Sequence, residues 1–451
     1  MNETRRLAEF IAETTYEDLP MSVVDATKVY ILDNLASGFV GSTTPWANMV
    51  AQVARETAPQ GPCSIFASSM TTSPSCAALV NGTMIGSFET DHAYVQGSCH
   101  PSASAFPAAL AIAERDHLGG NSLLVSVALG YEVACRVGLA ATRAVEDVAG
   151  FHGPGTNASF GGAAGAGKAL GLDSEGLVNA LGIAGSHAGG LMEFAREGAM
   201  TKRLHVGRGG QMGLESALLA ARGFTGPSTV LEGDRGFLKV YSPSPNPDTL
   251  VKDLGERYLL LGMMVKAYAC HASSHPVIEG ICRFKEDNEW DVSRLEHVKV
   301  VGTERMVERH NDREPTSILG AQYSLPFSAA VALCRDIADP LVYSEEILWD
   351  QRVREIARTM DLATDKDRFG DSGGPSAEVL LTLAGMPHTF TVADWKGAPT
   401  NPYTYDEMAD KFRRYASPHL TPDRIEDIVQ KVRDLENVED VTEITGLLRS
   451  G

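Results

Sequence analysis

Histidines and lysines in glycine-rich surroundings recur along this chain, and these are the side chains whose types and spacing could do chemistry. The densest run is Ser87–Glu114, SFETDHAYVQGSCHPSASAFPAALAIAE, where Glu89, Asp91, His92, Cys99, His100 and Ser102 precede an alanine-rich apolar stretch. Pro101 pushes His100 away from α geometry, so His100 is expected at a bend, in a polar loop anchored by the helix that follows. His152, in GFHGPGTN, lies between glycines and before a proline and is expected in a turn; an exposed loop histidine is the plain alternative. Lys202, Arg203 and His205, in MTKRLHVGRGG, form a cationic cluster expected directly before a Gly-rich helix start. Backbone N–H groups at a helix N-terminus together with fixed positive side chains suit a carboxylate, while a solvated charge run is the bland reading. Lys266 adds a cation just before His271 and His275 of CHASSHP. Such a set, unaided, can transfer protons next to a carboxylate while cations stabilise an enolate-like charge.

Other chemistries fit less well. GAAGAGK at 162–168 begins like a phosphate loop, but Ala169 stands where magnesium coordination needs Ser or Thr. It is read as a Gly/Ala helix face with one lysine. His271 and His275 stand four apart without the Glu of a zinc-protease motif, and Pro276 disturbs a regular helix, so no metal is expected. Ser102 lacks a nucleophile-elbow setting. The formal net charge is −19 and no basic run occurs, which argues against nucleic acid and membrane partners. The seven cysteines lack CxxC spacing, which points to reduced thiols and the cytoplasm. The charged N-terminus has no apolar core of a secretory signal, and no uninterrupted apolar stretch of spanning length occurs.

The elements that must position these residues are mostly helices. Val24, Ile31, Leu32, Leu35 and Phe39 fall at helical spacing, with Gly38 and Gly41 as stop signals. Further helices are expected at 44–58, 74–88, 121–145 and 208–223, and the Gly/Ala/Leu-rich stretch 158–190 reads as a closely packed bundle interior. Near residue 290 the character changes. Val298–Val301, EVLLTLA and HTFTVAD suit strands, the last two flanking a Gly385–Pro387 turn, with helices at 317–337 and 344–360 between. This portion reads as a small α+β domain with an antiparallel sheet. The tail is helical again: Thr404 and Glu407 form a capping box, and Pro422 takes the first position of a second helix.

Taken in order, ILDNLASGFVGS (31–42), the acidic stretch through CHPS (99–102), GFHGPGTNASFGGAAGAGKALGLD (150–173), MTKRLHVGRGGQMGLESALLAARGFTGP (200–227), KAYACHASSH (266–275), AQYSLPFSAAVAL (321–333) and NPYTYDEMADKFRR (401–414) resemble the MmgE/PrpD family. That family includes 2-methylcitrate dehydratase, cis-aconitate decarboxylase and iminodisuccinate epimerase. The resemblance implies a large all-helical domain built from both chain ends, 1–262 and 398–451, and a smaller α+β lid at 263–397. It also implies an enzyme without cofactor, a homodimer, and an active site between the domains. By position its catalytic residues would be Asp91, His100, His152, Lys202, His271 and Tyr323; from the residues themselves, Lys202, Arg203, His205, Ser102, Lys266 and His275 are expected to bind the substrate. The approach to the HPS motif, ETDHAYVQGSC, departs from the Asp/Asn- and Trp-rich approach of the dehydratases, so the substrate does not follow from the resemblance. The leading expectation is a hydro-lyase of the 2-methylcitrate type acting on a small di- or tricarboxylate. Decarboxylation, epimerisation, and a non-catalytic carboxylate binder are the alternatives.

Overall fold

A computed structural model of the chain describes residues 2–369 and 376–450. It divides into two compact units, Met1–Met264 with Tyr403–Gly451, and Val265–Pro402.

The first unit is helical. Glu3–Glu13 (α1), Met21–Ser42 (α2) and Pro45–Thr57 (α3) lead to a two-residue antiparallel ribbon, Cys63–Ser64 (β1) with Thr71–Thr72 (β2). Pro74–Ile85 (α4), Ala105–Arg115 (α5) and Gly120–Ala141 (α6) follow, then Gly153–Ala169 (α7), Ser174–Gly185 (α8) and Thr201–Ala220 (α9). Gly38 and Gly41 do not stop α2, which runs on to Ser42. Gly41 is there for contact: a β-carbon on it would lie 1.8 Å from the Met84 carbonyl oxygen of α4. The same logic joins α7 to α9, where a β-carbon on Gly213 would lie 2.3 Å from the Ser159 carbonyl oxygen. Small residues thus bring backbones together around the stretch that carries His152 and Lys202. Helix α6 is long and apolar enough to cross a membrane by length and composition, yet 94% of its most apolar window is buried in the protein. It is a core helix.

The second unit is α+β. His275–Asp287 (α10) precedes Leu295–Gly302 (β3), whose apolar residues Leu295, Val298 and Val300 are buried. The expected helix at 317–337 is two helices, Ile318–Tyr323 (α11) and Leu325–Cys334 (α12), because Ser324 breaks the first in extended geometry and caps the second. Gln351–Thr359 (α13) leads to Asp361–Thr364 (β4), and Ala377–Leu383 (β5) and Met386–Val392 (β6) close the hairpin. The four described strands run in the order β4-β3-β5-β6. Pairing is antiparallel except at the edge, where β4 lies parallel to β3, so the sheet is mixed. Strand β5 alternates buried and half-buried residues, with α10 packed on the hairpin.

The chain then returns to the first unit through Tyr405–Ala416 (α14), opened by the Thr404–Glu407 capping box, and Pro422–Arg433 (α15). Helix α14 packs on α2.

Candidate active site

The loop between α4 and α5 is built as the sequence implies, with added rigidity. Tyr94 and Cys99 exchange both backbone hydrogen bonds, at 2.9 and 3.2 Å, closing a tight loop with Ser98 in left-handed geometry at φ 44°. His100 follows, outside α geometry, at the start of the turn formed by Pro101–Ala103. Its Nδ1 lies 2.8 Å from Asp91 Oδ2, and the Ser102 hydroxyl donates to the same oxygen at 2.7 Å. An ionised carboxylate only accepts, so Nδ1 carries the proton and Nε2 of a neutral ring keeps its lone pair. Asp91 and Ser102 are buried, whereas the His100 side chain is 23% exposed. That combination orients a proton carrier while leaving one edge accessible.

His152 caps the start of α7, its N–H bonded to the Gly190 carbonyl at 2.9 Å. The cationic cluster 202–205 is not ahead of its helix. It lies inside the first two turns of α9, which begins at Thr201. Positions three apart share a helix face, and Lys202 and His205 meet the other site groups. The Lys202 ammonium is ion-paired with Glu89, both buried. His205 Nδ1 lies 3.1 Å from His152 Nδ1. Arg203 is buried over the Trp46 ring, 3.9 Å from its centroid.

Burial first, then the Lys202 ammonium and the neighbouring His205 and His100 rings, hold the His152 imidazole well below the ordinary histidine value; Glu89 opposes this weakly. His205 is lowered too, by burial and by Lys202. Of two facing Nδ1 atoms one must donate and the other accept, which agrees with neutral rings. Glu89 itself sits at φ 57°, left-handed backbone that a β-carbon disfavours. Strain of that kind persists where the surroundings over-determine it, as at active sites.

The second unit holds its own histidine cluster. His271 precedes a short turn rather than sharing a helix with His275, so the four-residue spacing does not place them on one helical face. His271 stacks on His310, ring centroids 3.9 Å apart, and on Tyr323 at 5.0 Å. Its N–H is bonded to the Gln322 carbonyl at 2.8 Å, which ties it to α11. The Ser273 N–H points at His271 Nδ1 from 3.3 Å, which places the proton of a neutral ring on Nε2. His310 is the reverse: Nδ1 faces the Tyr323 carbonyl at 3.0 Å and must donate. His275 is fully buried, between Trp395 and Tyr268, and Lys266 is 2% exposed.

Within the first unit, therefore, the structure brings Asp91, His100, Ser102, His152, Lys202 and His205 into one neighbourhood. Within the second it groups His271 with Tyr323. Two participants were given no role from sequence. Glu89 stood in the acidic stretch, and its i+2 relation to Asp91 was the available signal; His310, in VERHND, offered none. Lys168 of the apparent phosphate loop donates to the Ala12 carbonyl at 2.9 Å from the end of α7 and holds α1 there.

The chain thus combines a mainly helical unit formed by both chain ends with an inserted α+β unit, and carries buried His, Lys and carboxylate groups on glycine-rich segments. The MmgE/PrpD N-terminal domain matches residues 5–250 and the MmgE/PrpD C-terminal domain residues 268–436. The chain belongs to the MmgE/PrpD family. It is 29% identical to human cis-aconitate decarboxylase, over 95% of this chain and 90% of that one. It is 27% identical to the cis-aconitate decarboxylase-like protein oryM of Aspergillus oryzae, over 99% of this chain and 97% of that one. Cis-aconitate decarboxylase of Aspergillus terreus is 26% identical, over 99% and 95%.

Proposed function

We propose that this chain is a lyase that acts, without a cofactor, on a small di- or tricarboxylate, at the carbon next to a carboxylate. Decarboxylation of a cis-aconitate-like tricarboxylate comes first, ahead of dehydration of the 2-methylcitrate type. The relatives that match almost end to end support that order by the activity in their names. The observation that carries the reading is the Asp91–His100 pair, buried on its carboxylate side and open at the imidazole, beside Lys202 and a neutral His152.

In this mechanism the bond to the leaving carboxylate breaks, CO2 departs, and the electron pair spreads into the remaining unsaturated carboxylate. The carbon skeleton then takes one proton. His100 Nε2 carries that proton, its Nδ1 being held by Asp91. Lys202 faces the developing negative charge, with Glu89 balancing the buried ammonium until substrate binds. His152 stays neutral and so adds no second cation to compete with Lys202. His271, with its proton on Nε2, is the second candidate for proton transfer. A homodimer belongs to the same reading, and light scattering that returned the mass of a single chain would remove it.

The test is proton NMR in deuterated water with cis-aconitate, 2-methylcitrate, citrate and iminodisuccinate offered separately. Loss of CO2 from cis-aconitate with one deuterium in the product supports the proposal. Water loss from 2-methylcitrate alone would place the chain with the dehydratases, and exchange at one carbon without net conversion with the epimerases. No exchange and no conversion with any of the four would overturn a lyase acting on this substrate class.

A further inference from the structure

Behind the Asp91 loop lies a buried charged cluster of Asp33, His92 and Lys411, none of which is given a chemical step above. Asp33, on α2, is fully buried. Its Oδ2 lies 2.9 Å from His92 Nδ1, and its Oδ1 takes a hydrogen bond from Lys411 Nζ at 2.6 Å. Lys411, on α14, is supplied by the segment that follows the inserted unit, 378 residues along the chain from Asp33. The same ammonium donates to the Thr90 carbonyl at 3.1 Å. Tyr30 and Tyr131 pack on the His92 ring at 4.8 and 5.3 Å between centroids, so the cluster is walled from water. Burial alone would raise the Asp33 carboxyl, but Lys411 and His92 outweigh it and hold the group below its ordinary value.

Burying an acid, an amine and an imidazole is an expensive way to fill a core, since apolar residues of similar volume commonly do as well or better. What the cluster grips gives it a use. Lys411 holds Thr90 and Asp33 holds His92, the two residues that flank Asp91. The Ser102 hydroxyl, bonded to Asp91, also lies 3.3 Å from the His92 carbonyl. The chain is thereby pinned on both sides of the carboxylate that orients His100, next to Glu89 in its strained backbone geometry.

We propose that Asp33 and Lys411 are positioning residues that hold the Asp91–His100 pair in register through Thr90 and His92. The inference rests on the proton-transfer role given to His100, and its consequences separate from that role. The variant Asp33→Asn with Lys411→Met removes both charges at similar volume, so the expected melting temperature is unchanged or raised. The expected kcat falls about 10- to 100-fold, as for other residues that orient a reacting group, with KM within about threefold. In a His100→Ala background the same pair of substitutions is expected to cost nothing further, because residues acting as one unit are not additive.

An unchanged kcat, or a loss of the same size in the His100→Ala background, would overturn the proposal. Should the double variant not fold, His92→Gln cuts one of the two ties and is read in the same way. If wild type turns over none of the carboxylates, the readout becomes the nitrogen-bound proton of His100, observed by NMR of protein labelled with 15N-histidine. A resonance bonded to Asp91 in wild type and shifted or broadened in the double variant supports positioning whatever the substrate. An unmoved resonance refutes it.

Discussion

The two units differ in the partners described for their histidines. In the helical unit each site histidine is governed by side chains: Asp91 holds His100, His205 faces His152, and Lys202 with Glu89 sets the local charge. In the inserted unit backbone groups stand among the partners. His271 accepts from the Ser273 N–H, His310 faces the Tyr323 carbonyl, and the rings stack. Side-chain partners can be charged and can change state, so they tune protonation. Backbone partners cannot, so they select a tautomer and keep it. The first arrangement suits a group that cycles a proton beside a developing charge, and the second suits one that presents a fixed N–H.

The sharpest way to break this contrast is to remove one histidine from each set. His100→Ala is expected to lower kcat about 10²- to 10⁴-fold, the range of a lost general acid or base, with circular dichroism unchanged. CO2 release from cis-aconitate checks it, and near-normal turnover would dismiss His100 as the proton carrier. His271→Ala is expected to fall in the same range, whereas His310→Gln is expected to cost less, about 10- to 100-fold, because it acts through His271. Equal losses in those two variants would show that His310 takes part directly.

A smaller effect concerns stability. Glu89→Gln removes the carboxylate ion-paired with the buried Lys202, and breaking a buried pair costs about 3–5 kcal/mol. A lower urea midpoint is expected, and Lys202→Met added to it should recover part of the loss. The smallest effect is a pH dependence. The His152 value in the folded protein lies below its ordinary 6.5. The unfolded chain therefore binds the extra proton first, and stability present above pH 6.5 is lost as pH falls through that window toward the folded value. One such proton changes stability by about 1.4 kcal/mol per pH unit. Melting temperature measured on either side of pH 6.5 should show this slope in wild type and a flatter one in His152→Asn.

Parts of this site were legible in the sequence for local reasons. Pro101 restricts His100, so its bend follows from a neighbour in the chain; His152, expected in a turn, stands instead at the start of α7. The strands of the β5–β6 hairpin showed in their composition, while β4, four residues long and half-exposed, carried no pattern. Glycines misled where their role was contact, as at Gly41, because a missing side chain looks the same in sequence whether it ends a helix or admits a neighbouring backbone. Likewise Lys202 and Arg203 are adjacent and alike in charge. Only the helix, turning about 100° per residue, sends one to Glu89 and the other to Trp46.

What the sequence by itself determined is the kind of protein: glycine-punctuated helices with an inserted α+β segment, and His, Lys and Asp residues of types that can carry protons. Those properties are set by side-chain chemistry and by spacing within a few residues. The tertiary structure alone decided the partnerships, Lys202 with Glu89, His271 with His310, and Asp33 with Lys411. Each joins residues far apart in the chain, and such pairing depends on which helix faces and loops packing brings together. In a buried setting it is the partner, more than the residue type, that sets charge, tautomer and aim.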